Sequence, residues 1–349
     1  MNNHEMTSME RVLTTLSHKE PDRVPLFLLL TMHGAKEIGL TIKEYFSNAD
    51  NVVEGQLRIR KKYKNDCVYP FFYAPLEIEA FGGRVVFFED GPPNSAEPFI
   101  KNLEQIKNLQ SHKIKETKIL HKALDAIKKL KNIVKDDVPI IGVAVSPFSL
   151  PVMQLGFDKY FELMFYHKEL FDRLMLIIQK FCIDRANAQI QAGATAICYF
   201  DPVSSSTIIP RQKYLETGFL IAKNTIAKIN GPTATHFASG NCIPIINDVA
   251  QTGTAVIGVS SLEDISVIKE KSKNKLTVLG NLNGIEMRRW TTAETDEIVK
   301  QTIKKAATGG GFILSDNHGE IPFQVPDNVL LAISEAVNKY GQYPIRINN

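Results

Sequence analysis

The sequence predicts an α/β protein, a TIM-type (β/α)8 barrel with an N-terminal helical extension. Residues 1–349 read as one domain, with the extension over 1–23. Three observations predict this fold. From residue 138 onward, short β-prone apolar runs alternate six times with helical patterns. Two or three further strand patterns lie before residue 90, which brings the total to about eight. Most of the runs are followed by polar residues, and the carboxyl ends of its strands are where a barrel presents working side chains. Alternating strands and helices imply parallel strands joined by right-handed crossovers. An open doubly wound sheet shares that alternation, but no G-x-G-x-x-G follows the first strand.

The elements follow in order. Met9, Val12, Leu13 and Leu16 recur at helical spacing, so 7–18 reads as an amphipathic helix. Pro21 and Pro25 end it and introduce a strand over 24–30. A helix over 41–62 carries Tyr45, Val52 and Leu57 on its apolar side. A short strand over 66–70 stops at Pro70, and 76–81 is a helical turn. Gly82 and Gly83 then break to a strand over 84–88. The lysine-rich stretch 100–134 is mostly helical, its charges a solvated outer face. The six regular units pair strands 138–145, 195–200, 233–237, 255–259, 276–280 and 312–314 with following helices. Those helices fall over 157–191, 212–229, after Cys242, and over 262–271, 292–307 and 327–340. Gly309-Gly-Gly311 precedes a strand, so it reads as a tight turn and not as a phosphate-cradling loop.

Composition narrows the function. The apolar fraction of 44% supports a large core, and the net charge of +3 includes no basic block with interleaved aromatics. Nucleic acid is therefore not an expected partner. Four scattered cysteines without a C-x-x-C fit a reducing compartment. No signal pattern opens the chain and no apolar run is long enough to span a bilayer, so a cytoplasmic protein without membrane contact is expected. The absence of G-x-S-x-G leaves a hydrolase nucleophile elbow unsupported.

Reading off the strand ends gives the candidate site. His236, Asp201 and His318 are the expected catalytic residues; Ser204, Asn281, Asp316 and His33 are expected to bind substrate. Ser260, Ser261 and Asn283 are expected to cap helices, because such side chains accept from free helix N–H groups. His236, Cys242 and His318 supply nitrogen and sulfur of the kind zinc takes, three protein ligands with one position open. The five residues between His236 and Cys242 match no tight ligand motif.

Several stretches together resemble a known family. Glu10-Arg-Val-Leu and His18-Lys-Glu-Pro-Asp-Arg-Val-Pro25 are similar to the opening of the uroporphyrinogen decarboxylase superfamily. They most resemble its corrinoid-dependent methyltransferase branch, which includes the methylcobamide:coenzyme M methyltransferases. Asp66-Cys-Val-Tyr-Pro-Phe71, Glu77-Ile-Glu-Ala-Phe-Gly82, Asp201-Pro-Val-Ser, Gly280-Asn-Leu-Asn and Gly311-Phe-Ile-Leu-Ser extend the resemblance over nearly the whole chain.

The resemblance implies a TIM barrel that moves a methyl group between a cobamide (methylcobalamin, or a corrinoid protein as partner) and a small-molecule methyl donor or acceptor. It also implies zinc, which turns a thiol into the reactive thiolate. The family's zinc motif is His-x-Cys after one strand and a further Cys after the last. Here His236 matches the histidine, Ala238 stands at the first cysteine and His318 near the second. The decarboxylase alternative implies an arginine-bearing segment after the first strand, where this chain has Leu30-Thr-Met-His-Gly-Ala35. His318-Gly319 does echo a His-Gly of the decarboxylases. A third alternative is a degenerate member that binds without turnover. A homodimer of barrels is compatible with all three.

Overall fold

The computed structural model describes residues 5–317 and 319–346. Seven parallel strands form a curled sheet in the order β1-β9-β8-β7-β6-β5-β4. They are β1 (Leu26–Phe27), β4 (Ile141–Val145), β5 (Ala196–Phe200), β6 (Thr233–His236), β7 (Val256–Gly258), β8 (Thr277–Leu282) and β9 (Phe312–Asp316). From β4 onward each strand pairs with the next, and β9 returns to β1, with Leu26 opposite Leu314. The sequence expectation of a parallel barrel with intervening helices is met.

The place between β1 and β4 is taken by the short segment 66–69. Its Asp66 N–H donates to Leu26 O at 2.8 Å, and Val68 makes a parallel bridge with Ile140. Side chains complete this seam. Asn65 Oδ1 accepts from Leu28 N at 2.7 Å while its Nδ2 donates back to Leu28 O at 3.1 Å. Asp66 Oδ2 accepts from Leu26 N at 2.9 Å, and Gln56 joins Leu30 O to Tyr69 N. A buried backbone group needs a partner, and here side-chain amides and a carboxylate supply what a longer strand would have supplied.

Strand alternation sorts the apolar residues into two cores. Phe27, Leu29, Tyr69, Val143, Cys198 and Leu279 point into the barrel, whereas Leu26, Leu28, Val68, Ala144 and Tyr199 pack outward against helices. The bottom is closed by the first helix, α1 (Ser8–Leu16), which places Val12 and Leu16 against the inner core. Its capping box pairs Thr7 with Glu10. Arg11, 3% exposed, ties it to Asp22 at 2.6 Å and to Asp66 at 2.7 Å.

Four expectations change in detail, one being the helix expected over 212–229, which divides into Arg211–Glu216 and Gly218–Ile226. The strand expected over 84–88 lies outside the barrel, as β2 (Val85–Val86) in a hairpin with β3 (Asn94–Ser95). The helix expected over 41–62 breaks into Ile42–Tyr45 and Ala49–Tyr63, because Asn48 caps the second piece through Asn51 N. The helix expected over 157–191 likewise divides into Phe157–Tyr166 and Lys168–Ala192. Among the described residues no helix is long and apolar enough to cross a membrane.

Candidate active site at the barrel mouth

Above the inner core, at the carboxyl ends of the strands, lies a cavity of about 300 Å³. Its floor is Tyr69, Val143, Val145, Cys198 and Phe200, continuing the inward faces of the strands. Its walls are Phe71, Tyr73, Pro75 and Met153, and the hairpin loop adds Pro92, Pro93 and Asn94 from above. Gly319 and Glu320, after β9, complete the rim. Gln324 Nε2 ties the hairpin to that side, donating to Asp90 O at 2.7 Å. Tyr73 turns its hydroxyl away to Glu79 at 2.7 Å, which leaves ring surface for the cavity. No lysine, arginine or histidine lines the cavity among the described residues.

Glu320 is the residue that strand-end reading missed. It accepts from Met32 N at 3.2 Å. Burial pushes its carboxyl up; the Met32 N–H opposes this, Asp316 adds to it, and the result is about 8. The available signal was a carboxylate in an otherwise apolar run after the last strand, Gly319 to Phe323.

The expected site residues fall into distinct places. Asp201 closes the end of β5 and is 1% exposed. Its Oδ1 accepts from Ser146 Oγ at 2.5 Å and Ser149 Oγ at 2.8 Å, and its Oδ2 from Ser204 Oγ at 2.6 Å. Burial raises its carboxyl, and the three hydroxyls oppose that. Asp201 and Ser204 are thus brought together, in a knot that joins the ends of β4 and β5. Neither lines the cavity.

His236 ends β6 beside Phe200, with ring centroids 6.0 Å apart. The turn after it puts Ala238 at φ 52°, from which the Ala238 N–H donates to His236 Nδ1 at 2.9 Å. In its neutral form the ring therefore carries its proton on Nε2. Gly258 on β7 makes room for this ring: a Cβ there would stand 2.4 Å from His236 Cδ2.

Asn281 donates to Ser260 O at 2.9 Å and Glu263 O at 3.2 Å, bracing the loop after β7. Asp316 is buried at the end of β9. His33 is buried at the start of the helix His33–Ile38, 5.9 Å from the Phe323 ring. Burial and then Lys36 hold it down at about 3, hence neutral. His318 lies outside the described residues. Ser260 accepts from Leu262 N at 3.1 Å in a local turn and caps no helix, because Asp264 caps the following one, Ile265–Ser272; Asn283 accepts from Ile285 N and Glu286 N at the start of the short turn Glu286–Arg288.

Of the three expected zinc ligands, His318 lies outside the described residues. Among the described residues no three His, Cys, Asp or Glu side chains are grouped to hold a metal. Cys242 belongs to the outer core, and burial, then Glu263, pushes its thiol well above its ordinary value. His236 Nδ1 already accepts from the Ala238 N–H.

Parallel strands closing into a barrel, with a small cavity at their carboxyl ends, define the class: a β/α-barrel protein. The chain belongs to the uroporphyrinogen decarboxylase (URO-D) family, whose model matches residues 7–340. It is 22% identical to a uroporphyrinogen decarboxylase of Idiomarina loihiensis, over 95% of this chain and 96% of that protein. It is 25% identical to the methylcobamide:CoM methyltransferase MtbA of Methanosarcina acetivorans, over 96% of this chain and 98% of that one. A solved methyltransferase from Methanosarcina mazei shares the fold, with a TM-score of 0.81 and 20% identity over 96% of this chain and 99% of its own.

Proposed function

We propose that this protein is a corrinoid-dependent methyltransferase, moving a methyl group between a methylcobamide, free or on a corrinoid protein, and a small methyl donor or acceptor. The observation that carries this reading is the cavity at the mouth. It is small and mostly apolar, and no cationic side chain lines it among the described residues. A methyl group and a small neutral carrier suit such a surface. An octacarboxylate tetrapyrrole does not, because carboxylate recognition draws on arginine's fork of donors. The likeness to MtbA along nearly the full chain supports the same choice.

In this reading the barrel supplies placement. The aromatic floor and the hairpin exclude water and hold the small partner in line with the methyl–cobalt bond. His236, beside Phe200, and Asp316 at the end of β9 hold the mouth in shape from behind the lining, with His33, Asn281 and Ser204 bracing the loops around the small substrate. Asp201 fixes the geometry of the β4 and β5 ends through its serines.

The test is direct. The full chain is mixed with cob(I)alamin and a panel of methyl donors, and with methylcobalamin and a panel of acceptors, while cobalamin absorbance is followed. Growth or loss of the methylcobalamin band beyond the protein-free rate is expected. No change with any partner, together with carbon dioxide release from uroporphyrinogen, would put the decarboxylase in its place.

A further inference from the structure

We propose that the mouth cavity selects a single-ring, uncharged aromatic compound as the small methyl donor or acceptor. This deepens the methyltransferase reading and rests on it. Four aromatic side chains border the cavity: Tyr69, Phe71, Tyr73 and Phe200. Tyr69 and Phe71 stand edge to face, with centroids 6.3 Å apart and planes at 77°. They form a corner in which an incoming ring meets one face and one edge, the two arrangements that aromatic quadrupoles favour. Phe200 lines the same cavity. The neighbouring Gly319, at φ 86°, leaves Phe200 its place, since a Cβ there would stand 3.0 Å from Phe200 Cε2.

Size and charge narrow the class further. About 300 Å³ lies at the small end of ligand pockets and suits one ring with a short substituent. Pro75, Pro92, Pro93 and Met153 add apolar wall, and Asn94 and Glu320 offer polar groups at the rim. Those two suit a hydroxyl or methoxy oxygen on the ring. With no cation in the described lining, a carboxylate, sulfonate or phosphate meets no opposite charge there to offset its lost hydration. An aliphatic compound of equal size gains the apolar contact but not the ring–ring geometry.

Calorimetric titration of the full chain checks this without any methyl transfer. The probes are phenol, anisole, cyclohexanol and benzoate. Phenol and anisole are expected to bind about ten-fold tighter than cyclohexanol, the scale of one aromatic pair, and benzoate weakest. Phe200→Leu is expected to erase the preference over cyclohexanol with the thermal midpoint near that of the wild type; Phe71→Leu serves if the first variant does not fold. Benzoate binding as tightly as phenol, or the preference surviving in both variants, overturns the inference. Transfer seen only with aliphatic partners, and no aromatic binding, overturns this inference and leaves the methyltransferase reading standing. Aromatic binding with no transfer to or from cobalamin upholds the selectivity and removes that reading instead.

Discussion

The barrel is closed by two different means. From β4 to β9, neighbouring strands share three to five registered residue pairs, and the bonds are backbone to backbone. Between β1 and β4 the segment 66–69 is held largely by Asn65, Asp66 and Gln56. A backbone ladder is indifferent to which side chains ride on it. A side-chain seam depends on particular residues. One architecture therefore carries two kinds of mutational sensitivity, and the sensitive kind sits in the least regular quarter of the chain.

The strongest way to break this comparison is Asp66→Ala. Asp66 accepts from Ser8, Arg11, Arg23 and Leu26, and its removal leaves Arg11 buried with one carboxylate fewer. A loss of about 3–5 kcal/mol is expected by urea unfolding, as for a broken buried pair. A loss below about 1 kcal/mol would mean that packing alone closes the seam.

Glu77 probes the other side, behind the end of β4, where it accepts from Val145 N at 3.2 Å. Burial pushes its carboxyl up, Arg185 and the Val145 N–H oppose this, and the result is about 7 against an ordinary 4.5. The folded protein holds this proton where the unfolded chain has released it, so stability falls as pH rises from 4.5 to about 7. The fall amounts to about 3 kcal/mol. Glu77→Gln is expected to lack this fall and to be the more stable protein at pH 8. Denaturation of both proteins at pH 5 and pH 8 decides it; parallel losses would remove Glu77 as the cause.

The smallest effects sharpen the contrast. Asn65→Ala leaves Leu28 N unpaired in the seam and Leu28 O with only the Leu30 N–H, at about 1–3 kcal/mol. Ile257→Val, fully buried on the laddered β7, trims one methylene at about 0.5–1.5 kcal/mol. Denaturation midpoints that rank the two the other way would show the seam to be no more specific than the ladder.

Much of this was legible in the sequence, and the misses have physical causes. The six units after residue 138 repeat a strong periodicity, so their type and order could be read directly. The seam could not, because β1 pairs for only two residues and hydrogen bonds from Asn65 and Asp66 leave no periodic trace. The hairpin strand Val85–Val86 has the composition of a barrel strand, and nothing local says that its partner is Asn94–Ser95. At the site, polar residues at strand ends were the guide. They found the Asp201–Ser204 knot and the His236 turn, both of which hold the mouth in shape. The cavity itself is built from Tyr69, Phe71, Cys198 and Phe200. An apolar residue on a strand reads the same whether it ends in the core or at the mouth.

The pairing of Leu26 with Leu314 also governs how the chain is made. β1 is synthesised first among the strands, yet its ladder partner, β9, is synthesised last. At 5–20 residues per second the apolar run Leu26 to Leu30 waits roughly 15–60 s for that partner. During that interval α1 also has no finished floor to plug, since Ile313 belongs to the same inner core as Val12. The ladder between first and last strands can therefore close the ring only once Phe312–Asp316 has left the ribosome.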